Sequence, residues 1–374
     1  MAVLKVAAAL TALMGFSACS HVSYLVQAGV GQLSLYNHER PLQEAIDDAR
    51  TSENVRERLK WIPEIKKMVE AELGIKATKN YTTYVSLDRP YVIWSLTAAD
   101  AYNLKIKEWR FPVVGAFPYL GFFKEKTAQG WAKEHDEQGL DTHIRGVTAY
   151  STLGYLRDPL LSSMLSRRKS DLVNLIFHES THGVIYLKGQ GPFNEQIASY
   201  IGDYGERAWI ERNHGKDSKE LRDWHNDRLD RKRFGILLRA FAEELKNYYQ
   251  ASVSTAIEER RLGKVERFSA FSKRLENEPW KGAGYKRAAK MIINNASLLA
   301  FLTYEDDQHV FELLDKKCGG SVKDALSYLK NFADQWDDFK QAASGDGKPA
   351  TPQSVLYARL LDSTGVACLD SSLN

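Results

Sequence analysis

Between Asn174 and Ser199 the chain reads NLIFHESTHGVIYLKGQGPFNEQIAS. The run Leu172–Phe177 is almost wholly apolar and keeps helical spacing, so the helix carrying it has to be largely buried. The same helix goes on to place His178, Glu179 and His182. Two imidazoles and a carboxylate on a buried helix are costly unless something partners them. His178 and His182 are four positions apart and therefore lie on one helix face, one turn from each other. Both rings can reach a single zinc ion at about 2.0–2.1 Å, and the ion supplies the missing partner. This is the H-E-x-x-H arrangement, with Glu179 beside the ion, where it can take a proton from an attacking water. The competing reading is an exposed helix with coincidental histidines.

The residues around the motif suit a pair of helices. Ser170 is a candidate N-cap for a helix starting at Asp171. Two glycines and a proline in LKGQGP end that helix, and Asn194 is a candidate cap for a second one. A connection of about six residues sets two such helices antiparallel and side by side. Glu195, in the first turn of the second helix, then faces the histidine pair as a third ligand. A catalytic zinc uses three protein ligands and keeps one position open. Ser199 and Asp203 come later on the same stripe, where either can hold a histidine's distal N–H and fix its tautomer. Ala198 and Gly202 are small enough for close helix approach. Imidazole with one carboxylate suits Zn2+ better than a harder ion.

The remainder reads as α+β, predominantly helical, with a small sheet packed on a helical body. Residues 80–156 are strand-rich. YTTYVSLDRPYVIW suggests a hairpin turning at Asp88-Arg89-Pro90, and FPVVGAFPYLGFF and HIRGVTAYSTLGYL are strand-like. Helical patterns occupy about 38–75 and 170–341, and 342–374 forms a tail. Asn294 and Asn295 interrupt an apolar helix; they either brace the active-site helices or form a polar core network. Formal net charge is +3, from 51 basic and 48 acidic residues, which excludes a dedicated nucleic-acid surface.

The N-terminus has one lysine, then apolar and small residues from Val6 to Ala18. That stretch is too short to cross a bilayer, which takes about 20 residues. It reads as a signal peptide over 1–18. Cys19 after Ser17-Ala18 resembles the lipobox of bacterial lipoproteins; a plain cleaved signal is the alternative. Residues 19–374 are then a single domain. Export to an oxidising compartment leaves Cys318 and Cys368 as a disulfide pair, or as two buried thiols.

HESTH with the later NEQIAS resembles the gluzincin metallopeptidases. More broadly, the chain resembles the bacterial predicted aminopeptidase family over about residues 23 to 315. The carriers are YLVQAGVGQLSLY, WRFPVVGAFPYLGFF, TAYSTLGYLRDPLLSSML, NLIFHESTHG, FNEQIASYIGDYG and NNASLLAFLTYED. The resemblance implies His178, His182 and Glu195 as zinc ligands and Glu179 as general base. It implies a peptide hydrolase, an aminopeptidase by family, anchored by lipid in the periplasm-facing envelope, at the outer membrane. Two departures bear on specificity. The gap before Glu195 is shorter than in the better-known gluzincins, and GVTAYSTLG offers no carboxylate for a substrate ammonium. Tyr150, Tyr304 and His143 are candidates to stabilise the oxyanion, and the backbone of AYSTLG can pair with an extended peptide. Two other classes stay open: a non-catalytic, zinc-stabilised envelope module for binding or assembly, and a metallohydrolase of a non-peptide amide.

Overall fold

The computed structural model describes residues 23–75, 80–111, 115–149, 157–282, 284–302, 309–343 and 350–362. Cys19, Tyr150, Tyr304 and Cys368 lie outside these residues, as does the signal segment. Cys318 is disulfide-bonded. The described residues are predominantly helical with small sheets, and none of their helices is long and apolar enough to cross a membrane.

The chain divides into two compact units, each drawn from three stretches. One takes residues up to 39, 85–150 and 234–302; the other takes 40–84, 151–233 and 303 onward. No linker composition marks the crossings, because each unit is woven from segments distant in sequence.

The first unit is built on a three-stranded antiparallel sheet in which Ile93–Asp100 lies between Leu120–Phe122 and Leu140–Val147. All eight residues of Ile93–Asp100 pair with Leu140–Val147, from Ile93↔Val147 to Asp100↔Leu140. Trp109–Phe111 and Gly115–Phe117 form a separate antiparallel pair. The sheet packs on the helix Glu125–Glu137 through Leu96, Leu120, Phe122, Ala128 and Ala132. A second core gathers Phe234, Phe241, Phe268 and Phe271 from two long helices and Trp280 from just beyond the second of them.

Asn294 and Asn295 act within this unit. The Asn295 amide donates to the carbonyls of Asp100 at 2.8 Å and Ala101 at 3.1 Å, and Tyr249 Oη donates to its oxygen at 2.7 Å. The Asp141 carboxylate accepts from Asn295 N and from Lys264 Nζ, both buried around it. Asn294 Nδ2 donates to the Thr142 carbonyl. The pair fastens the helix Asn295–Leu302 to two strand ends, as a polar core network. Asn295→Ala leaves a buried hydroxyl and two carbonyls unanswered. It is expected to lower stability by about 2–4 kcal/mol in a denaturant titration.

The second unit contains a sheet of Arg40–Pro41, Thr83–Val85 and Leu160–Leu161, and its helix Glu53–Leu73 packs on the motif helix. Gly74, with φ +65, ends Glu53–Leu73 as its glycine suggests. The expected hairpin through Asp88-Arg89-Pro90 does not form. Thr83–Val85 pairs with Arg40–Pro41, and Ile93–Asp100 joins a different sheet. Thr83, Tyr84 and Val85 are all buried, so that strand lacks the alternation of a hairpin arm with one face to water.

Candidate metal centre

The motif helix spans Lys169–His182 and begins two residues before the expected start. Asp171, not Ser170, holds the N-terminus: its Oδ2 accepts from Arg168 N at 3.1 Å, and its carboxylate pairs with the Arg168 guanidinium. Leu172, Val173, Ile176 and Phe177 are buried. The buried hydroxyls of Ser180 and Thr181 are answered within the helix, donating to the carbonyls of Ile176 and Phe177. Neither hydroxyl therefore competes for the histidines.

The second helix spans Gly191–His214 with a proline in its first turn. Asn194 is thus inside the helix and is not its cap. Its buried amide clamps the connection, accepting from Leu187 N at 2.8 Å and donating to Leu187 O at 2.9 Å. That bidentate grip fixes where the second helix starts, and so where Glu195 points.

Close packing sets the distance between the helices. A Cβ added at Gly202 would sit 2.9 Å from the carbonyl oxygen of Asn174, and one at Gly205 would sit 2.4 Å from Cγ of Phe177. Only hydrogen fits at either place.

The consequence is convergence. The Nε2 atoms of His178 and His182 are 3.2 Å apart. Glu195 lies across from both, with Oε2 3.3 Å from His178 Nε2 and Oε1 3.5 Å from His182 Nε2. A tetrahedral ion with bonds of about 2.0–2.1 Å sets its ligand atoms roughly 3.3–3.4 Å apart. Each contact is close to that length, with the two Glu195 oxygens each turned to a different histidine; taking one ligand atom from each residue, the three lie within 4.8 Å of one another. No fourth His, Cys, Asp or Glu joins the group among the described residues. The imidazoles are mostly shielded, whereas the Glu195 carboxylate is half-exposed, so the site opens on its side.

Electrostatics prepares two of the three ligands. Burial holds His182 below the usual histidine range, against the opposing charge of Glu195. Burial alone would raise Glu195, but the hydrogen bond and charge of His178 and the charge of His182 outweigh it, so Glu195 stays ionised. Burial also disfavours the charged form of His178; its bond to Glu195 and the charges of Glu179, Glu195 and Asp203 prevail and raise it. A metal held by this group would therefore have to displace a proton from His178. The ligand set is complete above that raised pKa and is lost as pH falls through it. Dialysis at about pH 5 should strip a metal that is retained at about pH 7.5, as read by elemental analysis.

The other candidate residues have partners or places of their own. The Asp203 carboxylate accepts from Asn174 Nδ2 at 2.9 Å and pairs with Arg228, so it turns to these groups and not to a histidine ring. Ser199 is half-buried on the second helix. His143 sits opposite Thr97 in the first unit's sheet, lowered by burial.

Two features are not evident from the motif alone. Glu206, one helical turn past Asp203 on the second helix, is buried with Arg168, Arg228 and Asn174 around it; burial raises its pKa, and Arg228 opposes the rise. Asn174, the one polar residue in LVNLIF, is the signal in the sequence that could reveal it. Tyr81 is the only non-glycine residue of positive φ, at 60°, among the described residues. Its phenol is buried and raised, first by burial and then by the charges of Glu179 and Asp158, which places a protonated hydroxyl in the surroundings of Glu179.

The sequence model of a family described as "Putative aminopeptidase" matches residues 23–343. The chain belongs to that family. The match contains the whole of the converging helix pair. No curated protein and no solved structure matches the chain. Within this putative aminopeptidase, the family name speaks for a peptidase, and the ligand geometry is the chain's own.

Proposed function

We propose that the chain is a zinc-dependent peptide hydrolase, an aminopeptidase by family, held in the bacterial cell envelope by a lipid on Cys19. The observation that carries the reading is the convergence of His178, His182 and Glu195, one ligand atom from each lying within 4.8 Å of the others, with no fourth such residue in the group among the described residues. When bound, zinc lowers the pKa of water toward about 7 and polarises a carbonyl. Glu179, one residue from a ligand but outside the ligand set, takes the proton of the attacking water and returns it to the leaving amine. Asn194, Gly202 and Gly205 hold Glu195 against the histidines, so the ligands are in place before metal arrives.

A structural zinc is normally closed by a fourth protein ligand, often cysteine. The three-member group supports catalysis over the binding-module reading. Metal content tests this. The purified chain should carry one zinc, and His178→Ala should carry none after dialysis. Equal metal in both would sink the site. Assaying aminoacyl reporters, N-blocked peptides and muropeptides side by side then separates an aminopeptidase from an endopeptidase and from a hydrolase of cell-wall amides.

A further inference from the structure

We propose that the helix over residues 23–37 carries a membrane-facing surface, formed by Leu25, Val26, Val30 and Leu33, that lies at the bilayer interface and orients the first unit against the lipid. The inference rests on the reading of Cys19 as the lipid anchor.

The inner face of this helix is fully committed to its own unit. The Tyr24 ring stacks on Phe111 at 5.3 Å and meets Phe122 and Trp131 edge-on. The Gln27 amide donates to the Gly121 carbonyl and accepts from Phe123 N. Leu35 is buried, and a Cβ at Gly31 would run into the Phe123 ring. The orientation of the helix is therefore fixed, and so is its outer face.

That outer face is apolar and wet. Leu25, Val26, Val30 and Leu33 are 43%, 58%, 63% and 62% exposed. Positions 26, 30 and 33 have the spacing of one helix stripe, and 25 lies beside it. No Asp, Glu, Lys or Arg occurs from Val22 to Asn37. The difference from a solvated face is the absence of charge: the helix Ile257–Asn277 of the same unit also exposes Ile257, Leu262 and Val265, but sets them among exposed Glu258, Glu259, Arg261 and Glu266. Contiguous exposed apolar residues without charges mark a contact surface.

Position in the chain selects lipid as the occupant. Three residues separate Cys19 from Ser23. Four extended steps span at most about 14 Å, so an acylated Cys19 keeps Ser23, the first residue of the helix, within that reach of the bilayer. Apolar faces of interfacial helices sink about 5–10 Å into the headgroup boundary. The acyl chains supply affinity, and the stripe restricts rotation about the tether. Because the stripe is uncharged, its contact should not depend on anionic lipid or salt.

The test uses the mature lipidated chain in phosphatidylethanolamine–phosphatidylglycerol vesicles, labelled with bimane at Val30→Cys or, as a reference on an exposed helix position of the same unit, at Lys273→Cys. The parent chain carried through the same labelling gives the background. Brominated lipid should quench the Val30 label several-fold more than the Lys273 label, equally at low and high salt. Equal quenching at the two positions overturns the proposal and leaves the anchor standing. An N-terminal peptide without acyl mass removes the anchor and the proposal together, with metal content and peptidase activity unaffected. A Val30→Cys disulfide between two copies, formed without vesicles, assigns the face to self-association and also overturns it.

Discussion

Glu179→Gln should keep its zinc and lose hydrolysis by roughly a thousandfold, the middle of the range for removing a positioned general base. The two halves of that result have different origins. Among the described residues the group that could hold the ion is His178, His182 and Glu195, so glutamine at 179 leaves that group untouched. It is also isosteric, which preserves packing at a half-buried position on the motif helix. What it removes is the acceptor for the water proton. Elemental analysis beside a reporter assay makes the distinction: low activity with low zinc would show a damaged site, not a missing base. Full activity with full zinc would reject Glu179 as the base. Unchanged cellular function in an inactive, zinc-loaded variant would favour the binding-module reading.

The site is legible in the sequence because local spacing determines nearly all of its geometry. Helical spacing places His178 over His182, and the glycine-proline break returns the chain within eight residues, Gly183 to Gln190, so Glu195 arrives opposite. Where structure and sequence expectation differ, the deciding partner is remote or the cap chemistry is shared. Ser170 and Asn194 have capping side chains, but Asp171 caps in place of the first and the Leu187 backbone engages the second. Asp203 meets an arginine 25 residues further on and so turns from the histidines. The strands are visible as apolar runs, yet their pairing is not. Residues 81–85 and 93–100 look like two arms of one hairpin, and only the burial of Thr83–Val85 between distant two-residue strands separates them. The interleaving of two units from six segments leaves no trace in composition, since no crossing is marked by a linker.

Gly205→Ala should cost about 1–3 kcal/mol of stability, although alanine inside a helix ordinarily gains about 0.5–1 kcal/mol over glycine. The added methyl would lie 2.4, 2.5 and 2.7 Å from three atoms of the Phe177 ring, which is fully buried and cannot swing away. Relief has to come from separation of the two helices, and Phe177 immediately precedes His178. The same displacement therefore moves His178 from Glu195. Zinc stabilises a folded protein in proportion to how well the folded site binds it. The rise in unfolding midpoint on adding zinc should accordingly shrink in Gly205→Ala relative to the parent chain. Gly130→Ala is the matched control: it also sits in a helix, is exposed, and meets nothing within 4 Å. It should be neutral to stabilising, with an undiminished response to zinc. If Gly205→Ala behaved like Gly130→Ala in both respects, close contact between these helices would not be what holds the three ligands together.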